Sequence, residues 1–184
     1  TVRIFVQGIP RRHILDDQTR SRLAREAHER FRRERGKPFI HQDPSLSPWE
    51  DLPDTLRQSN LQQIDHIGEK LRLIGYALEP AKGKEIESFE FPLRAKIGGA
   101  DVDPVEFLAE AEHARWNMER LYGGWVCAEK DVEKKQSPYL VAWTELPEDI
   151  RSFDRNAVRN IPSLMRAAGY RIVPLRPRRP RRQR

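Results

Sequence analysis

A single cysteine, Cys127, stands in 184 residues. No intramolecular disulfide can form, which fits a reducing, cytoplasmic setting. That cysteine and the scattered histidines offer no zinc-ligand spacing, so no metal site is expected. No apolar run approaches the roughly 18 residues that a membrane helix needs, and no secretory leader is visible. A glycine-rich phosphate loop of the Walker or Rossmann type is missing too. Ser, His and Asp all occur, but no motif gathers them. Asp16-Asp17 is a carboxylate pair, but it falls at a helix start, where capping is its ordinary use. Catalysis is therefore not expected, no catalytic residue is assigned, and no cofactor is required.

Charge of one sign is also scarce once the chain's end is set aside. The net charge is +6, but Pro174 to Arg184 holds six arginines and no acid. Removing those six from the 34 basic residues leaves 28, against 28 acidic. The body is neutral overall, and a nucleic-acid signal is confined to the tail.

What the chain does have is repetition, which has to be settled before any fold assignment. Leu23-Ala-Arg-Glu-Ala-His28-Glu-Arg-Phe31-Arg-Arg-Glu-Arg35 returns 85 residues later as Leu108-Ala-Glu-Ala-Glu-His113-Ala-Arg-Trp116-Asn-Met-Glu-Arg120. In both copies a histidine, an aromatic ring and an arginine stand at i, i+3 and i+7, one face of a helix. A second phrase, Asp43 to Tyr76, lies without a gap over Ser137 to Tyr170, at an offset of 94. Ten of its 34 positions are identical, among them Trp49/Trp143, Leu52/Leu146, Pro53/Pro147, Arg57/Arg151, Gly75/Gly169 and Tyr76/Tyr170.

Val2 to Val6 reads as a short strand, and residues 1–10 as a strand and linker. The first repeat spans 11–78. Asp16 or Asp17 caps a helix to Arg35, stopped by Gly36. Asn60 caps a second helix carrying Leu61, Ile64, Ile67, Leu71 and Ile74, closed by a left-handed Gly75. Residues 79–102 link the copies, with an edge strand at Glu85 to Phe91. The second repeat spans 103–173. Asp103 caps its first helix, Pro104 opens the first turn, and Glu106 completes a capping box. Asp154 caps its second helix, and Gly169 closes it. Gly68 and Pro162 fall at equivalent places, so both second helices should bend there. The tail, 174–184, has nothing to bury and is expected to be disordered. The fold class is α+β, mainly α: two repeats related by a pseudo-twofold, each with two long helices and short edge strands.

These phrases resemble the RyR domain, the repeat found in tandem in ryanodine receptors and alone or paired in bacterial proteins. The pattern lies in Leu108-Ala109, His113, Trp116, Arg120, Gly124-Trp125, Pro138-Tyr-Leu140, Leu146-Pro147 and Gly169-Tyr170. The first copy keeps Leu23-Ala24, His28, Leu52-Pro53 and Gly75-Tyr76, but has Phe31 for the tryptophan and lacks the Gly-Trp pair. The resemblance implies a non-catalytic ligand-sensing module, with adenine nucleotides or NAD-derived molecules (the ATP, ADP and ADP-ribose class) as ligands. It also implies a fused or associated effector, in bacteria a potassium-channel-like membrane segment with a TrkA-type domain. Because the sequence starts at Thr1 rather than Met, it reads as a piece of such a protein, its cytoplasmic part.

The site expectation follows from the duplicated face. Phe31 and Trp116 would flank one cleft and sandwich a flat base. Arg35 and Arg120 would hold phosphate. Trp125, after two glycines, would form a wall. His28 and His113 would line the cleft or hydrogen-bond loop carbonyls. Arg57 and Asn60 would offer donors to a phosphate at a helix N-terminus. Trp49 and Trp143 are expected as packing anchors. The rival reading from another class is a protein-interaction scaffold with no small ligand.

Overall fold

The computed structural model describes residues 15–35, 43–83 and 85–175. The strand expected at Val2 to Val6, the stop at Gly36 and nearly all of the tail lie outside the described residues.

Helix α1 (Asp17–Glu34) starts as expected: the Asp16 carboxylate accepts from Thr19 N at 2.9 Å. Its counterpart α4 (Pro104–Tyr122) starts on Asp103, which accepts from Val105 N and Glu106 N at 2.8 and 3.2 Å. The reciprocal half of the expected capping box does not form. Glu106 instead accepts from Trp143 Nε1 at 3.0 Å and from Arg155, since a guanidinium is a stronger donor to a carboxylate than a backbone N–H.

The second helices begin earlier than the capping residues implied. Helix α2 (Asp54–Asp65) follows Pro53, and α5 (Glu148–Arg159) follows Pro147. Asp54, Glu148 and Asp149 sit in the first turns, where carboxylates suit the exposed N–H groups. Asn60 and Asp154 therefore lie mid-helix and cap nothing. Asn60 Nδ2 donates back to Leu56 O at 2.9 Å.

Both helices break where weakness was expected. Helix α2 ends at His66 and α3 (Ile67–Leu73) resumes; α5 ends at Asn160 and α6 (Ile161–Ala167) resumes with Pro162 in its first turn. Gly75 and Gly169, at φ of 85° and 76°, then turn the chain into β1 (Tyr76–Pro80) and β4 (Tyr170–Pro174). Those conformations are cheap only for glycine.

Strands β1 and β4 pair antiparallel, Tyr76 opposite Pro174 and Pro80 opposite Tyr170. The middle pair is Leu78 with Ile172, and the offset of 94 makes those two residues equivalents. A twofold through that pair requires such a register. Element pairings run the same way: α1 packs on α2 as α4 packs on α5, α3 on β1 as α6 on β4, and α1 meets α5 as α2 meets α4.

The link holds a hairpin of β2 (Ala95–Ile97) and β3 (Ala100–Val102). The edge strand expected at Glu85 to Phe91 is absent. Phe89 docks edge-on against Tyr76 at 5.0 Å and against Phe91 at 5.3 Å. Ring packing, rather than a backbone ladder, uses the alternation there.

The fold is α+β and mainly helical, with one core. Leu23 and Ala24, like Leu108 and Ala109, are fully buried. Leu52 and Leu146 match in the same way, as do Ile67 and Ile161. Trp49 and Trp143 pack on this core, as expected of anchors. Among the described residues no helix is long and apolar enough to cross a membrane.

Candidate ligand-binding cleft

The two histidines fix the loops that frame the cleft. His28 Nε2 donates to Ser47 O at 2.9 Å, and His113 Nε2 donates to Val141 O at 2.9 Å. Ser47 and Val141 are themselves equivalents at the offset of 94. Burial lowers both imidazole pKa values, so each ring is neutral near pH 7 and bonds a carbonyl through one N–H.

Two adjoining cavities lie between the halves, of about 230 and 190 Å³. They meet at Phe31, Trp116, Arg120, Phe153 and Asp154, which line both. Phe31 and Trp116 are half-buried and both line the space, Trp116 with the His113 ring stacked on it at 5.9 Å. The duplicated face thus brings both rings to one cleft. His28 and Asn60 line the first cavity only; His113, Arg35 and Trp125 line the second only.

The two arginines differ. Arg120 is 5 % exposed. Its guanidinium lies 4.4 Å from the Trp125 ring centroid and 5.4 Å from that of Trp116. Its Nε is buried without a hydrogen-bond partner, and no carboxylate pairs with it among the described residues. Burial lowers its pKa, against the pull of Glu119, but a guanidinium stays charged. Arg35 is exposed and lies 4.5 Å from the Phe153 ring and 5.8 Å from Phe31. Trp125 is 8 % exposed and does form a wall. Gly123 allows it: a Cβ there would stand 3.3 Å from Trp125 Cδ1.

Arg57 does not reach the cleft. Its Nη2 donates to Trp49 O and Glu50 O at 3.3 Å and to Leu52 O at 2.9 Å, tying down the loop before α2. The phosphate site expected at Arg57 and Asn60 is overturned for the same reason as the cap: α2 starts at Asp54, so no free N–H groups remain there.

One wall is ionic. Lys70 and Glu112 form a fully buried pair. Arg115 adds bonds to Glu112 at 3.0 Å and to Glu119 at 2.7 Å, and Ser59 Oγ donates to Glu119 at 2.8 Å. Burial alone raises the Glu112 carboxyl, but Arg115 and Lys70 overcome it and hold it below the usual range. His66, buried beside Lys70, falls to about 4.

Phe153 and Asp154 were missed as cleft residues. The acidic turn directly after Pro147 was the available signal. Starting α5 there puts Asp154 in mid-helix, available to face inward, whereas a helix starting at 154 makes it a cap. A separate hollow of about 390 Å³ lies between the link and α6, but its Arg171 is engaged by Glu79 at 2.9 Å.

Residues 98–174 match the family model of the RyR domain. The matched stretch opens just ahead of β3 and closes on the last residue of β4.

Proposed function

Residues 98–174 match the family model of the RyR domain, and from that match we propose that this chain is a non-catalytic sensory module. It binds a nucleotide-like ligand of the ATP, ADP and ADP-ribose class in the cleft between its two halves. The first half acts as a degenerate second copy of the same repeat. The single observation carrying this reading is Arg120: a buried cation, sandwiched by two indoles, with no carboxylate paired to it among the described residues. An unpaired buried charge is costly. An anion entering the adjoining cavity relieves that cost, and Phe31 and Trp116 offer the faces on which a base stacks.

Ligand binding would fix the angle between the halves, and the output goes to a fused or associated effector. The energy for that change is the ligand's differential affinity for the two arrangements.

A scaffold reading has one observation in its favour. Leu121, Tyr122 and Val126 are 56, 85 and 52 % exposed beside one another at the end of α4, a surface suited to a protein partner. Titrating ATP, ADP, ADP-ribose and cyclic nucleotides, while following melting temperature and tryptophan emission, separates the two. A saturable shift with one of them supports sensing. No shift up to millimolar concentration leaves the scaffold.

A further inference from the structure

We propose that Asp154 reads the edge of the base that enters the cleft, and that this base carries an N–H donor beside a ring-nitrogen acceptor, the 6-aminopurine pattern. The inference rests on the reading of the cleft as a nucleotide site and names what that site selects.

Asp154 lines both cavities where they meet, between the Phe153 and Trp116 walls. Its side chain keeps 23 % of its accessible surface, facing this space. No hydrogen bond is satisfied by it among the described residues. The nearest polar group is His113 Nδ1, at 3.7 Å, which is beyond hydrogen-bond range. Because His113 Nε2 carries the proton that Val141 O accepts, Nδ1 presents a lone pair to Asp154. A carboxylate facing a lone pair is repelled; a carboxylic acid is not.

The surrounding charges agree. From α4 come Glu112, His113, Arg115 and Arg120; from α3, Lys70; from α1, His28 and Glu34, with Arg35 just past its end; and from the loop after α4, Lys130 and Tyr139. Burial and the Glu112 charge push the Asp154 carboxyl up to about 8, against the pull of Lys70 and Arg115. Near pH 7 the group is a neutral acid, with one donor and one acceptor. Asn60, its equivalent in the first half, lines the same cavity with the same pair of functions. A 6-aminopurine answers that pattern: its amino group donates to the acid's carbonyl oxygen, and a ring nitrogen accepts the acid's proton. Once ionised, Asp154 has two acceptors and repels the ring nitrogen. A guanine edge, with two adjacent N–H donors, then fits better.

The test compares AMP, GMP and purine riboside 5′-monophosphate, which lacks the amino group, by calorimetric titration of the intact chain. All three carry the same phosphate, so their ratios isolate the base. At about pH 6.5 AMP should bind roughly tenfold tighter than the riboside analogue, the effect of one buried unpaired acceptor. At about pH 8.5 that advantage should fall several-fold and GMP should gain on AMP. Asp154→Asn keeps one donor and one acceptor, so it should bind AMP and lose the pH dependence. Asp154→Ala should lose the AMP preference, with folding checked by circular dichroism. Equal affinity for AMP and the riboside analogue in the unmodified protein, or a pH-independent ratio, overturns the role of Asp154 and leaves the cleft reading standing. No binding by any of the three, nor by ADP or ADP-ribose, removes both.

Discussion

Arg35 and Arg120 hold the same place in a repeated phrase, yet the first lies on the surface and the second is 5 % exposed. The backbone around them is nearly duplicated; the side-chain environment is not. Arg120 gains Trp125 as a second ring because Gly123 and Gly124 fold the chain back after α4. Arg35, in a copy whose sequence has no Gly-Trp pair, rests on Phe153, from the opposite half. The mirror positions of the buried ion pair diverge as well. Lys70 and Glu112 are matched across the molecule by Leu164 and Ala27, at offsets of 94 and 85. The two halves share a frame of matching element contacts, and inside it one lobe is ionic and the other apolar.

The largest expected effect breaks the ionic lobe. Glu112→Ala leaves Lys70 buried without its partner and should cost about 3–5 kcal/mol in chemical denaturation. Lys70→Leu with Glu112→Ala copies the apolar mirror and should recover most of that loss. If the double variant is no more stable than the single, the two lobes are not interchangeable.

Next comes the ring pair. Trp116→Ala should lower nucleotide affinity about ten- to hundredfold, the range of one lost stacking face, and should also lower the melting temperature. Phe31→Ala should do the same more weakly, because its ring is smaller. Identical losses from both would remove the asymmetry argued above.

The arginines give a smaller, more selective effect. Arg120→Ala should weaken ATP by about tenfold or more, the scale of a charge-assisted hydrogen bond, and leave adenosine little changed. Arg35→Ala, at a solvated position, should weaken ATP only about two- to threefold. Equal loss of adenosine and ATP on removing Arg120 contradicts its phosphate role.

The last comparison is in pH. Asp154 is raised from 3.8 to about 8, so the folded state holds its proton where the unfolded chain has released it. The stability it contributes is present in full below about pH 3.8 and is lost as pH rises through 8. His66 is lowered from 6.5 to about 4, so the unfolded chain takes its proton first and stability falls as pH drops from 6.5 towards 4. Asp154→Asn should remove its share of the fall in melting temperature between about pH 4 and 8, and His66→Gln the fall on acidification from 6.5 towards 4.

Much of this frame was legible in the sequence. The doubled phrases gave α1 and α4, the left-handed glycines and the bends near Gly68 and Pro162. Phe31, Trp116, Arg120 and Trp125 were readable as one constellation because helical spacing puts ring and arginine on one face. Helix starts were less legible. A polar residue before an apolar run looks like a cap, and Asn60 and Asp154 both have that appearance. The proline and acidic turn some six residues upstream in each copy govern instead. Asp154 could not be found as a cleft residue while it was taken for a cap, and Arg57 could not be excluded. Alternation in Glu85 to Phe91 misled because Phe89 packing on Tyr76, with Phe91 packing on Phe89, leaves the same trace as a strand. The ion pair of Lys70 and Glu112 was invisible, since nothing along the chain joins residues so far apart.

The ladder of β1 with β4 has a consequence for the seam between the halves. Its central rung joins Leu78 to Ile172, positions that coincide at the offset of 94, so whatever β1 offers β4, a second β4 could offer in the same register. Two identical subunits joined by such a seam must change together; two halves within one chain can change separately.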